Sequence, residues 1–131
     1  MKIENIKFRA KRLDNGQWVS GDLAHSLDGK INILGFVEED DGRMGFTGAY
    51  QIAPDTVCQF TGMRDREGNE IYEGDVLEGE PECEIVFTKG TFASRSIDYS
   101  GNVILDPLYY FQREDGAVDG KVVGNKFDKE K

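Results

Sequence analysis

The sequence predicts an all-β protein: an N-terminal β segment followed by a small SH3-like β-barrel. Three observations predict the β class. Short runs rich in β-branched and aromatic residues recur along all 131 residues. Turn dipeptides and tripeptides separate them: Asp14-Asn15-Gly16, Asp28-Gly29, Glu67-Gly68-Asn69, Ser100-Gly101-Asn102 and Asp115-Gly116. Glycine and asparagine accept positive φ at such points, and aspartate bonds its own backbone. Helical periodicity is scarce, and regularly spaced short strands with dense turns mark sandwiches and barrels.

Strands are expected near Ile6–Leu13, Trp18–Ala24, Ile31–Val37, Thr56–Thr61, Ile71–Leu77, Cys83–Thr88, Phe92–Ile97, Asn102–Leu105 and Lys121–Phe127. In the first, Ile6, Phe8 and Ala10 alternate with Lys7, Arg9 and Lys11, giving one apolar and one basic face. Ile85-Val86-Phe87 is a continuous apolar run, as in a strand covered on both sides. Glu38–Gly48 is acidic and then glycine-rich and reads as an exposed loop, and a boundary near Ala49–Asp55 separates a segment at 1–52 from a barrel unit at 53–131. Pro107–Arg113 suits either a helical turn, since proline favours a first helical position, or a strand.

The formal charge is −9, from 25 acidic and 16 basic residues. That balance opposes non-specific binding to phosphate backbones. Residues 1–12 run against it: Lys2, Lys7, Arg9, Lys11 and Arg12 face only Glu4. The face of Lys7, Arg9 and Lys11 is therefore the candidate site for an anionic or acidic partner. Two cysteines, Cys58 and Cys83, form no metal-binding or redox spacing and are expected as reduced thiols. No apolar run of signal-peptide or membrane-spanning length occurs, so a cytoplasmic protein with no membrane partner is expected.

No catalytic signature is present, and no enzyme activity, metal or cofactor is expected. His25 is the only histidine and lacks a nucleophile context. Glu73 and Asp75 would share a face of an extended strand and could bind a divalent cation, but Glu73-Gly74-Asp75 also reads as a tight turn with Asp75 bonding local amides. Glu78, Glu80, Glu82 and Glu84 read as a solubilising edge or loop. The asset left for function is aromatic. Tyr109, Tyr110 and Phe111 are adjacent, so an extended backbone must turn some of them outward, and they are the candidate interface.

Phe8-Arg9-Ala10-Lys11, Asn15-Gly16-Gln17-Trp18-Val19-Ser20-Gly21, and above all Val57-Cys58-Gln59-Phe60-Thr61-Gly62 with the Asp65, Gly68, Glu70-Ile71-Tyr72-Glu73-Gly74-Asp75-Val76 pattern, closing on Val122-Val123-Gly124-Asn125, resemble the YopX family of phage and prophage proteins. Where the family continues with an aromatic and an Asn-Pro-type ending, this chain has Lys126-Phe127-Asp128. The resemblance implies the SH3-like barrel and a structural motif at Thr61, Gly62, Asp65, Gly68, Ile71, Tyr72, Gly74 and Asp75. It brings no established activity. The expectation is a self-associating, non-enzymatic protein-binding module made in a bacterial host, its partner an unidentified host or phage protein, with nucleic-acid binding through the basic strand as the alternative. A carboxylate-based metal enzyme at Glu73 and Asp75 is the least favoured reading.

Overall fold

Alternation and turn chemistry produce eleven strands among the described residues of a computed structural model, which describes residues 2–38 and 44–129. No α-helix occurs among them; the remaining regular elements are single 3-10 turns. The strands pair into antiparallel sheets, and the chain divides into two compact units, Met1–Gln59 and Phe60–Lys131.

The first unit is a meander. Strands β1 (Phe8–Lys11), β2 (Trp18–His25), β3 (Ile31–Glu38) and β4 (Met44–Gln51) pair in the order β4-β3-β2-β1, and the first two residues of β5 (Cys58–Arg64) add to the free side of β1. Ala10, Ile33 and Ile52 form its buried centre, packed by Phe8, Val19, Leu23, Ile31 and Val57. Burying one such isoleucine contributes about 2 kcal/mol. Gly21 lies mid-strand because a Cβ there would run into the Leu34 carbonyl oxygen. Thr56 fastens the Pro54–Thr56 turn: its hydroxyl donates to the Ala53 carbonyl at 2.7 Å and accepts from the Lys11 N–H at 2.9 Å.

One expectation fails in this unit. The glycine-rich stretch taken as a loop up to Gly48 is strand from Met44 onward, paired with β3 from Glu38↔Met44 to Asn32↔Gln51. Each glycine costs a strand about 0.5–1 kcal/mol, and a ladder this long offsets that. A bulge between Gly35 and Phe36 places the strain where glycine faces glycine, Gly35↔Gly48. The rest of the expected loop, Glu39 to Arg43, lies outside the described residues.

In the second unit, β5 from Phe60 onward pairs with β6 (Glu70–Tyr72). A five-stranded antiparallel sheet follows, built from β7 (Asp75–Leu77), β8 (Cys83–Thr88), β9 (Thr91–Ile97), β10 (Val103–Pro107) and β11 (Val122–Asn125) in the order β10-β9-β8-β7-β11. Ile71, Leu77, Ile85, Leu108 and Val118 form the core, packed by Met63, Cys83, Phe92 and Val122. The single strand expected at Ile71–Leu77 is two. Gly74, at φ +89°, turns the chain, and the Asp75 carboxylate accepts the Tyr72 N–H at 2.7 Å. The turn at Gly74 breaks the strand, and Asp75 caps the last residue of β6.

Candidate interaction surface

The residues of the central motif build turns. Thr61 donates its hydroxyl to the Ile71 carbonyl at 2.8 Å and accepts the Met63 N–H at 3.1 Å, across the bulge that Gly62 permits at φ +86°. Asp65, 1% exposed, accepts four bonds: from the N–H groups of Glu67 (2.9 Å), Asn69 (2.8 Å) and Val122 (2.9 Å), and from the Asn69 side-chain amide (3.1 Å). Burial alone would push its carboxyl up, and these donors outweigh it, so the carboxyl lies below its ordinary value. Gly68 turns the loop at φ +89°. Ile71 fills the core; Tyr72 packs on Phe60 at 5.4 Å and donates its hydroxyl to Glu70 at 3.1 Å. Asp75, also 1% exposed, takes the Asn125 side-chain amide at 3.0 Å in addition to Tyr72.

These placements bear on the carboxylates. Glu73 and Asp75 do not face outward together, because Asp75 turns inward to Tyr72 and Asn125. Glu78 pairs with Arg66 at 2.6 Å and Glu84 with Lys126 at 3.5 Å. Among the described residues no group of three or more His, Cys, Asp or Glu is arranged to hold a metal ion. His25 is exposed at the end of β2, Cys58 is a buried thiol that donates to the Thr56 carbonyl at 3.3 Å, Cys83 is half-buried, and neither cysteine is in a disulfide.

The basic candidates are partly covered. Lys7, Arg9 and Lys11 are half-buried. Arg9 stacks over the Trp18 ring at 4.7 Å and the Lys11 ammonium lies 5.5 Å from the same ring. The register explains this, since Lys11 sits opposite Trp18 and Arg9 diagonal to it on the same face. Such cation–π contacts contribute about 0.5–1 kcal/mol each. Nearby, Arg12 lies 4.4 Å from the Tyr50 ring and pairs with Asp14 at 2.7 Å, beside a cavity of about 630 Å³.

The aromatic candidates are displayed. Pro107 leads into a 3-10 turn at Leu108–Phe111, and Leu108 anchors it in the core at 1% exposure. The turn is closed by Gln112 N–H to the Tyr109 carbonyl (3.2 Å) and Asp119 N–H to the Phe111 carbonyl (2.9 Å). Tyr109 and Tyr110 pack edge-to-face at 5.1 Å and, with Phe111, stay exposed at 57%, 65% and 38%. The preceding strand β10 is exposed too, at Val103, Ile104 and Leu105. Ile104 and Phe111 meet in one groove of about 330 Å³ with Leu77, Pro81, Ser94 and Ser96. Sequence reasoning named the aromatics but missed β10 as part of the same surface. The signal available was Tyr99–Leu105, seven uncharged residues in an acidic chain.

Fold and surface together define a small all-β protein of two antiparallel units, ordered by buried aspartates and displaying an apolar edge. The sequence matches the family model described as YopX protein over residues 7–129, and the chain belongs to that family. No curated protein matches it. No helix of the described chain is long and apolar enough to cross a membrane.

Proposed function

We propose that this chain is a non-enzymatic, self-associating protein-binding module of phage or prophage origin, acting inside a bacterial host. The observation that carries the reading is the exposed Tyr109–Tyr110–Phe111 turn beside the uncovered strand β10. Contiguous exposed apolar surface of this kind marks interaction sites, and tyrosine supplies contact area at low entropic cost. The second unit reads as an SH3-like barrel; its short antiparallel strands and tight turns support this, and such barrels host many functions.

The test is the double substitution Tyr109→Ala, Tyr110→Ala. Because neither ring fills the core, the melting temperature should stay within about 2 °C of wild type, as for surface changes within ±0.5 kcal/mol. The mass by light scattering should fall, or a nuclease-resistant protein captured from host lysate should be lost. Unchanged mass together with unchanged capture sinks the reading.

One observation favours a second reading. Trp18 flanked by Arg9 and Lys11 is an aromatic platform with cations at its rim, the composition that binds single-stranded nucleic acid. The net charge of −9 opposes it. Fluorescence polarisation with labelled single strands at low salt decides, and a flat titration ends it.

A further inference from the structure

We infer that β10 is a self-pairing edge: it adds antiparallel to β10 of a second copy of this chain across a two-fold axis at Ile104. This rests on the self-association proposed above and specifies its geometry.

An edge strand presents unpaired N–H and C=O groups that template pairing with another chain. Which groups of β10 point outward follows from its hairpin with β9. The Asp98 N–H donates to the Asn102 carbonyl at 3.0 Å, so that pair is hydrogen-bonded. Antiparallel ladders alternate bonded and non-bonded pairs. Ile97↔Val103 and Arg95↔Leu105 are therefore non-bonded pairs, and Val103 and Leu105 turn their N–H and C=O away from β9. Pro107↔Ala93 falls in the same class, which is where a residue without an N–H fits. Among the described residues no strand lies beyond β10.

These groups are self-complementary. A two-fold at Ile104 sets Val103 against Leu105 of the second copy, and each such pair exchanges two N–H···O=C bonds. A two-fold at Val103 would set Leu105 against Gly101, which lies in the turn at φ +88°. A two-fold at Leu105 would set Val103 against Pro107, which has no donor. Charge agrees with the Ile104 register. The segment Tyr99–Leu105 carries no charge, offering nothing to an ionic partner, and Asp106 meets Asn102 rather than another carboxylate. The same register runs the hairpin tip, with Tyr99 at 92% exposure, toward the Leu108–Phe111 turn of the second copy. The exposed aromatics thereby flank the ladder on both sides and enlarge the area a stable dimer needs.

The other edges of this unit are closed to such pairing. On β11 the N–H groups of Val122 and Asn125 are taken by the Asp65 and Asp128 carboxylates at 2.9 and 3.0 Å, and a bulge interrupts the strand. On β6, only three residues long, the Tyr72 N–H is held by Asp75.

The experiment uses the full chain in a Cys83→Ser background, since Cys83 lines the same groove as Ile104. Light scattering should give twice 14.7 kDa. Opposed residues of a non-bonded antiparallel pair lie about 4.5 Å apart at Cα, within disulfide reach. Mild oxidation of Ile104→Cys should therefore trap a covalent dimer, and Val103→Cys, which faces Leu105 instead, should not. Leu105→Pro removes an outward donor at the position class Pro107 already occupies, and should return the mass to that of one chain. If Leu105→Pro fails to fold, the two cysteine variants decide alone. A wild type that stays monomeric up to its solubility limit overturns both this proposal and self-association. A dimeric wild type whose two cysteine variants oxidise alike overturns the β10 assignment and leaves self-association standing.

Discussion

The two ends of the five-stranded sheet solve the same problem in opposite ways. At β11 two N–H groups that point away from β7 meet aspartates: Val122 meets Asp65, and Asn125 meets Asp128. At β10 the corresponding groups of Val103 and Leu105 meet no described strand, and the side chains around them are apolar and exposed. A strand edge is costly to leave open because it invites unplanned pairing. One edge of this sheet is sealed by one buried and one exposed carboxylate, and the other is closed only by a short length and by Pro107. The contrast is the reason β10 is proposed as the pairing edge, because a fold that can seal an edge with two aspartates has the means to seal both.

The sharpest way to break the comparison is to unseal β11. Asp65→Ala removes the acceptor for three backbone N–H groups and one side-chain amide at a site 1% exposed. Leaving buried donors unsatisfied costs about 1–3 kcal/mol each, with partial relaxation in the outer loop. A loss of about 3 kcal/mol in chemical denaturation is expected, together with new concentration-dependent association that Leu105→Pro does not suppress. A loss below 1 kcal/mol would mean that Asp65 does not hold the β11 edge.

Acid should unseal the same edge reversibly. The Asp65 carboxyl is held below its ordinary 3.8 by its donors, against the opposing pull of burial. Its folded value is depressed, so its contribution to stability is complete above the unfolded value. That contribution is lost as pH falls through the folded one. The stability gap between wild type and Asp65→Ala should therefore stay constant from pH 7 to about pH 5 and narrow below 3.8. A gap that ignores pH would assign the effect of the alanine to lost packing instead.

Much of this architecture was legible, for identifiable reasons. Phe8 and Ala10 alternating with Arg9 and Lys11 gave β1 and its faces, because a period of two has one physical meaning, whereas Ile6, expected on the apolar face, lies before the strand and is exposed. The turn at Asp65–Asn69 was legible because its aspartate, glycine and asparagine act within five residues of one another. Strand β4 was not: Gly45 and Gly48 read locally as a loop, and only the ladder to β3 makes them strand. The Asp65–Val122 and Asp75–Asn125 bonds span 57 and 50 residues, and no local pattern announces them. A signal did exist. A motif that places aspartates among Ile71, Tyr72, Val76 and Leu77 buries them, and buried carboxylates require donors from elsewhere in the chain. The surface was half legible: adjacent aromatics were readable as exposed, whereas the open N–H groups of β10 depend on hydrogen-bond parity, which only the hairpin register fixes.

The smallest effect sharpens the comparison rather than breaking it. Asp128 accepts the Asn125 N–H from an exposed position in the Lys126–Lys129 turn, so water replaces it when it is removed. Asp128→Ala should cost about 0.5–1 kcal/mol, the range of an exposed cap. It should not open a second pairing edge. Asn125 donates its side-chain amide to Asp75 and accepts the Phe127 N–H at 2.9 Å, so the strand end stays folded over. The bulge between Val122 and Gly124 also breaks the alternation that a partner strand needs. Light scattering on Asp128→Ala should thus match wild type. If the variant instead forms larger assemblies, a single exposed carboxylate is what keeps β11 closed, and the two edges differ by one side chain rather than by their backbone geometry.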